Sequence, residues 1–549
     1  MRYRAGVLLV SVLSLGLAVG STGPLPAVAD PVVAPTLAVV GTSSSSATVQ
    51  LRFGTADAGK AAAVEVSNDG KKWSTTAKPE LDAQGAAEVS LTKLHVWGRY
   101  YRGTVPSDTA AVTAPVFFTP TPKRVNHKLP VVRIDVKAGK KISSQTHPRD
   151  LNLVIDSGDP ASPAITVPQS APTYSSPKPY TDTIKGRGNY SWTFPKKGYK
   201  IKLDKKADLL GMGESKHWVL VSNFYDHSML RNSTATELSR RVFGTTAWIP
   251  RYRFVDVVLN GRYDGTYQLS EQVRIADNRV DIKSLDETVD KSSKKITGGY
   301  LMEWNSRKES PYFTIPSGAH ISLDDPAPDS DDPGEVAYLH SQAYADQRAY
   351  IKKYVSDCDK LIDHSHSGTP LSSFAKCIDV DSFANWWLVN EIMKNTNGEL
   401  FHSSYMDKDR DGVLHMVTPW DFDLAAGDVE RAGGARDPKG WFIRDENDAQ
   451  RQTKQTWINK LFKNRAFKAR VKVRYAEVAP SLRKSVIKKT MEAQAAQISA
   501  SSAANSKVWS PKKHFSNAQK LHGTSWKSEV AWLERWIGTR LDWIDQQLR

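Results

Sequence analysis

The spacing of apolar and polar residues changes about halfway along the chain. In the first half, apolar residues recur at every second position. Ala47-Thr48-Val49-Gln50-Leu51-Arg52-Phe53 is one such run. Lys197 to Leu203 is another, with Tyr199, Ile201 and Leu203 on one face and Lys200 and Lys202 on the other. A period of two predicts strands with one buried face. Leu129-Pro130-Val131-Val132-Arg133-Ile134 and Leu153-Val154-Ile155 are more continuously apolar and predict buried strands. Phe254 to Leu259 and Gly265 to Leu269 flank Asn260-Gly261-Arg262-Tyr263-Asp264-Gly265. Asn and Gly tolerate the left-handed backbone of a tight turn, so this stretch predicts a hairpin. Ser228 to Val242 breaks the pattern with helical spacing of Leu230, Leu238 and Val242.

From about Glu335 the period lengthens. Ala337 to Leu361, Val380 to Lys394, Trp457 to Val478 and Ser528 to Leu548 all carry helical spacing. A β-rich part followed by an α-rich part predicts a two-lobed α+β arrangement with a ligand cleft between the lobes. Residues 30–120 differ from both. They are rich in Ala, Val, Ser and Thr, with turn signals such as Asn68-Asp69-Gly70 and Ala83-Gln84-Gly85, and predict a small all-β, Ig-like sandwich. Phe118 to Lys123 reads as the linker into residues 121–549. The expected architecture is therefore multi-domain: a small sandwich followed by the two-lobed unit.

The first residues qualify that layout. Arg2 and Arg4 precede an apolar run from about Val7 to Val19, and small residues end in Ala27-Val28-Ala29. This is the form of a signal peptide over residues 1–29 and predicts export, secreted or held at the cell envelope, with no transmembrane anchor. The formal net charge is +16, about +14 without Arg2 and Arg4. Such an excess favours acidic partners such as phosphates or anionic surface polymers. Nucleic acid is not expected, because no helix-turn-helix, zinc-finger or ribonucleoprotein pattern is present. Cys358 and Cys377 are the two cysteines, and an oxidising compartment permits them to pair across the flexible Ser367-Gly368-Thr369-Pro370 stretch.

Four segments carry candidate chemistry. Lys185-Gly186-Arg187-Gly188-Asn189-Tyr190-Ser191-Trp192, followed by Phe194 to Leu203, combines close glycines with lysines, the elements of a phosphate-binding turn or of a basic surface hairpin. Trp218 to Asn232 is an apolar strand that enters a helix, where Asp226 or Ser228 can cap and Arg231 can meet an acid or a phosphate. Trp420-Asp421-Phe422-Asp423 follows the strand-like Leu414 to Thr418; carboxylates at i and i+2 suit a hard divalent cation. Asp407-Lys408-Asp409-Arg410-Asp411-Gly412 matches half of a calcium loop, but Thr418 stands where the closing Glu belongs, so a turn between strands is expected. Gly-x-Ser-x-Gly and His-Glu-x-x-His, which would mark hydrolases, are absent.

Taken in order, five motifs resemble the spore-coat protein H (CotH) kinase family. They are Lys-Gly-Arg-Gly-Asn-x-Ser-Trp with Lys-Lys-Gly-Tyr-Lys-Ile-Lys-Leu, Asn-x-x-Asp-x-Ser-x-x-Arg-Asn, Tyr-Asp-Gly-Thr-Tyr-x-Leu-x-Glu, Gly-Gly-Tyr-Leu-Met-Glu and Trp-Asp-Phe-Asp, and the resemblance covers roughly Pro130 to Arg549. The resemblance implies an atypical protein-kinase-like domain, with a β-rich lobe over about 121–300 and a helical lobe over about 301–549. It implies ATP and Mg²⁺ or Mn²⁺ as cofactors, and Ser or Thr of an envelope or spore-coat protein as acceptor. By position, Lys197, with Lys202 second, resembles the phosphate-contacting lysine. Asp421 resembles the metal-binding Asp, supported by Asp423. Arg231 and Glu271 fall in recurrent motifs near the cleft.

One position departs from the pattern. Many relatives carry an Asp before the metal segment to accept the substrate proton; Asn397 stands there, with Glu399 as the nearby substitute. An amide is no general base near neutral pH. Phosphoryl transfer depends mainly on positioning and charge, so two readings stay open. One is an exported kinase-like enzyme. The other is a non-catalytic binding or envelope-assembly protein on a degenerate kinase fold.

Overall fold

The computed structural model describes residues 34–42, 45–68, 70–92, 94, 99–118, 125, 128–156, 174–176, 180–285, 295–305, 307–309, 311–326, 340–398, 402–429, 433–443, 457–510 and 521–549. The signal-peptide expectation, most of the linker and Glu399 lie outside the described residues. No described helix is long and apolar enough to cross a membrane.

The N-terminal region is all β. Strands β1 (Thr36–Thr42), β2 (Ser46–Arg52) and β5 (Ala86–Thr92) form one antiparallel sheet in the order β1-β2-β5. Strands β3 (Ala63–Ser67), β4 (Ser74–Ala77), β6 (Arg99–Val105) and β7 (Asp108–Val112) form a second in the order β4-β3-β6-β7, and β8 (Val116–Phe118) also pairs with β6. The alternation along β2 buries Ala47, Val49 and Leu51, and Val49 and Leu51 share one core with Val64, Tyr101 and Val105 from the other sheet. Hydrogen bonds that join this region to the next include Asn152 Nδ2 to Tyr100 OH at 2.9 Å and Tyr180 OH to the Asn68 carbonyl at 2.9 Å.

The following sheet closes on itself. Its strands are β9 (Val131–Val136), β10 (Arg149–Asp156), β11 (Tyr174–Ser175), β12 (Asp182–Arg187), β13 (Gly198–Asp208), β14 (Glu214–Val221), β15 (Tyr252–Leu259) and β16 (Arg262–Glu271). The order is β11-β10-β12-β13-β14-β16-β15-β9, and β9 also pairs with β10, so the sheet closes at β10 and β11 adds to β10 alone. All pairings are antiparallel except β9 with β15, which is parallel from Asp256–Val131 onward. The inward set of the expected alternation, Tyr199, Ile201 and Leu203, fills the interior with Ile134, Leu153, Trp218, Val257 and Leu269. Closure leaves Lys200 and Lys202 outside. At the β15–β16 turn, Asn260 and Gly261 take φ of 48° and 73°, as the hairpin signal requires, and Asn260 Oδ1 accepts from the Val136 N–H at 2.8 Å.

The rest of the chain is mixed α/β. Here the sequence expectation of a helical second half is corrected. A second antiparallel sheet, β18-β19-β17-β20-β21, is built from β17 (Tyr300–Trp304), β18 (Tyr312–Thr314), β19 (His320–Asp325), β20 (Ser404–Lys408) and β21 (Leu414–Pro419). The Asp409–Gly412 turn joins β20 to β21 without a calcium loop's closing residue, as expected.

The longer helices are α1 (Arg231–Phe243), α2 (Gln342–Asp363), α3 (Val380–Met393), α4 (Arg465–Val478), α5 (Lys484–Val508) and α6 (Trp526–Leu548). The single helix expected over Trp457–Val478 is broken: Trp457–Leu461 ends, and Asn464 caps α4 by accepting from the Phe467 N–H at 2.9 Å. Helix α5 escaped the periodicity reading because its Ala- and Ser-rich sequence carries few large apolar residues. Helix α3 is buried from Ser382 through Met393 and packs against α1, α4 and β21. Cys358 of α2 is joined to Cys377 just before α3, with Cα atoms 5.6 Å apart.

Candidate functional site

A cavity of about 650 Å³ lies between the closed sheet and the second sheet. Its barrel side is Arg187 at the end of β12, Gly188 to Ser191, Phe194 and Tyr225. Its other side is Glu303 of β17, Tyr405 of β20, Thr396 and Asn397 after α3, His402, Ser403 and the Trp420–Asp423 segment. Four of the five recurrent motifs thus reach one cleft. The volume suits a small organic ligand.

The acidic side is held in an unusual backbone. Asp421 has φ of 67°, a left-handed conformation that a non-glycine residue rarely adopts. Three contacts fix it. Asn397 Nδ2 donates to Asp421 Oδ2 at 3.1 Å, Ser403 Oγ donates to the same oxygen at 3.3 Å, and the next N–H, that of Phe422, donates to Asn232 Oδ1 at 2.8 Å. Burial, then the charge of Asp421 and a hydrogen bond with it, hold the Asp423 carboxyl well above the usual carboxylate range, while Arg187 opposes the shift. Two carboxylates crowded in this way repel each other when both ionise. A divalent cation would remove that repulsion, and hard oxygen donors are what Mg²⁺ and Mn²⁺ take. Asn397 adds an amide oxygen. The donor set fits such a cation, with further ligands required from phosphates or water. Among the described residues no group of three or more His, Cys, Asp or Glu side chains already surrounds one point.

Arg231 does not line the cavity. It is fully buried and acts on the acidic segment from behind. Its guanidinium donates to Asp226 Oδ1 at 2.5 Å and to the carbonyls of Ala425 at 3.0 Å and Ala426 at 3.4 Å, and lies 3.5 Å from Asp428. Asp226 also accepts from the Ser228 and Arg231 N–H groups at 2.9 and 2.7 Å, which fastens the start of α1. The Asn-x-x-Asp-x-Ser-x-x-Arg-Asn motif is therefore a clamp: Arg231 and Asn232 together fix the backbone that presents Asp421 and Asp423.

Glu271 also stands away from the cavity. It is fully buried at the barrel rim, where it accepts from the Arg251 N–H at 2.6 Å and the Arg251 guanidinium at 2.7 Å, and pairs with Arg279. Lys197 bonds the Trp192 carbonyl, and its ammonium lies 5.0 Å from the centre of the Trp192 ring. Lys202 is on the outer face of β13, opposite Thr183 and His217. Neither lysine is in the cavity wall. The neighbouring Lys196 is buried, and all three of its donors are used, on the Ser222 and Thr266 carbonyls and on Asn505 Oδ1. The glycines of this hairpin are occupied as well: a Cβ at Gly186 would stand 2.2 Å from the Trp192 ring.

Three cavity residues were not singled out from the sequence. Arg187 is the cation of the barrel side, 5.7 Å from the centre of the Trp420 ring. Its signal was its place between the two glycines of the first motif. Glu303 closes the Gly-Gly-Tyr-Leu-Met-Glu motif, whose position in the family pattern could have flagged it. Ser403, with φ of 50°, carried no signal; it bridges Glu303 and Asp421 by donating its N–H to Glu303 Oε1 at 2.8 Å and its hydroxyl to Asp421.

Comparison with family models matches residues 184–544, well over half the chain, to the family described as CotH kinase protein. Among curated proteins none matches.

Proposed function

This chain belongs to the CotH kinase protein family, and on that premise we propose that its cleft binds ATP with Mg²⁺ or Mn²⁺ and passes the γ-phosphoryl group to a hydroxyl. Kinase-like character follows from the family; the nucleotide, the metal and the transfer are our reading. The observation that carries it is the Asp421–Asp423 pair, crowded together beside the Asn397 amide and facing Arg187 across the cavity. Asp421, Asp423 and Asn397 would hold the cation. When bound, it supplies positive charge to phosphate oxygens. Arg187 draws the polyphosphate toward the barrel side and offers a planar set of donors that suits phosphate oxygens. Arg231 and Asn232 keep the carboxylates in place.

In this reading the closed sheet and the mixed α/β region act as the two lobes of a kinase-like domain, and the N-terminal sheets form an Ig-like module that serves export-side binding. The acceptor is a Ser or Thr hydroxyl of an envelope or coat protein. A second reading has a specific support of its own. Asn397 donates to Asp421 and has no proton-accepting carboxylate, which suits a protein that binds nucleotide without transferring phosphate.

Purified protein with labelled ATP and Mn²⁺, wild type beside Asp421→Ala, separates the readings. Label transfer that disappears in the variant supports the enzyme. Nucleotide binding without transfer supports the second reading. Failure to bind nucleotide with either metal sinks both.

A further inference from the structure

We propose that Glu303 is the catalytic residue that accepts the acceptor hydroxyl's proton, in the role that Asn397 cannot fill. This assignment rests on the nucleotide reading of the same cleft. It starts from a vacancy in the chemistry: the residue at the family's Asp position is an amide, and its Nδ2 is turned to Asp421. A replacement must be a carboxylate or imidazole, must line the cavity, and must not belong to the cation pair.

Among the described residues that leaves Glu303, Glu309 and His402. Glu309 accepts from Asn189 Nδ2 at 2.9 Å, and its side chain is 43% exposed at the rim. His402 Nδ1 lies 3.1 Å from Asn305 Oδ1, an oxygen that also accepts from the Arg307 N–H at 3.0 Å. Nδ1 must then carry the proton, so only Nε2 can accept.

Glu303 is placed differently. Ser403 ties it to Asp421: the Ser403 N–H holds Glu303 Oε1 at 2.8 Å while the Ser403 hydroxyl holds Asp421 Oδ2 at 3.3 Å. One residue thus sets the base against the carboxylate that would carry the metal and phosphates. The second Glu303 oxygen has no protein partner among the described residues. The groups around Glu303 are Asp324 on β19, Glu309, Asp421 and Tyr405 on β20, with Arg187 on the barrel side. Burial first, then the charges of Asp324, Glu309 and Asp421, push its carboxyl up to about 8, although the Ser403 N–H pulls the other way. A base in that range is matched to proton transfer from an alcohol.

The step balances. The acceptor O–H bond breaks and its proton passes to Glu303. The oxygen's electron pair forms the new bond to the γ-phosphorus of ATP. The bond from that phosphorus to the β–γ bridging oxygen breaks, and its electron pair leaves with ADP. Glu303 then returns the proton to solvent.

The test uses the full exported chain with Mn²⁺ and ATP, and compares wild type, Glu303→Gln, His402→Gln and the double variant Glu303→Gln/Asn397→Asp. Gln is isosteric and can still accept the Ser403 N–H, so Mn²⁺–ATP affinity and melting temperature should stay near wild type. Transfer should fall by about 100-fold or more. The wild-type rate should rise with pH through the Glu303 carboxyl's range, and this limb should vanish in Glu303→Gln. Asn397→Asp should restore at least about tenfold of the loss by supplying a carboxylate at the family's position. Transfer by Glu303→Gln within twofold of wild type overturns the proposal, as does an unchanged pH limb, or a loss seen only in His402→Gln. Wild-type protein that binds nucleotide and transfers nothing also overturns it while leaving the nucleotide reading intact; absence of binding removes both.

Discussion

The two sides of the cleft handle charge in opposite ways. On the barrel side, Lys196 and Lys197 are satisfied by their own protein, while Arg187 lines the cavity. Lys196 gives every donor to a neutral oxygen, Lys197 is bonded to the Trp192 carbonyl and lies against the indole ring, and the space beside Gly186 is filled by that ring. On the acidic side, Asp421 and Asp423 are forced together, and Glu303 is pushed far from its ordinary range by burial first and then by like charges. A buried charge with partners stabilises a fold. A set of like charges held against one another costs the folded protein free energy, and it persists where a ligand relieves it. The count of lysines in a motif is thus a poor guide to where a phosphate sits; the unrelieved charge is the better one.

The sharpest way to break this comparison is to remove the clamp. Arg231→Met leaves Asp226 and Asp428 buried without their cation and should cost about 3–5 kcal/mol of stability, read by urea denaturation. A loss under 1 kcal/mol would show that the acidic segment is held by other means. Next in size, Asp421→Ala should weaken Mn²⁺-dependent nucleotide binding on the order of 100-fold in calorimetry. The metal-free melting temperature should hold or rise, because repulsion with Asp423 is gone.

The barrel side can be probed by a pair of variants. Arg187→Ala should weaken nucleotide binding about tenfold, and Lys197→Ala should leave it within about twofold; the reverse order would restore Lys197 to the phosphate role. The smallest effect concerns stability and pH. The Glu303 carboxyl is raised from 4.5 to about 8 in the folded protein. The folded state therefore holds this proton more tightly than the unfolded chain, and stability falls as pH rises from the lower value through the higher. Metal-free Glu303→Gln should flatten the melting-temperature profile across that window, and a profile that follows wild type would place Glu303 in a more solvated setting.

Much of the strand pattern was legible in the sequence. The alternation of Lys197–Leu203 gave the correct inward face, and the Asn260–Gly265 turn fell where its residue types demanded. The second sheet was legible only in its β20–β21 hairpin, through the strand-like Leu414–Thr418 and the turn before it; β17 and β19 were missed because their short apolar stretches have no period that separates a strand from a helix. Sheet closure was also hidden, since the β9–β10 and β9–β15 pairings are tertiary choices. At the site, the sequence singled out Asp421 and Asp423 through the Trp-Asp-Phe-Asp motif and Asn397 through its position before it, and all three line the cavity. Lys197 was a less useful guide, since a residue's neighbours in sequence do not say which side of a strand's end it takes. Half of the Arg231 clamp was legible, since Arg231 meets the acid Asp226, a pairing its place in the first turn allowed; its reach to the Ala425 and Ala426 carbonyls was not, because backbone carbonyls have no sequence signature.

That clamp has a consequence for how the protein matures. The Ala425 carbonyl that Arg231 holds is 194 residues further along the chain. The barrel can pair its strands long before that segment is available, but the carboxylate pair has no fixed backbone until it docks. Contacts of such long range are among the last to form. The acidic segment of the cleft is therefore assembled only when nearly all of the chain's length has come together.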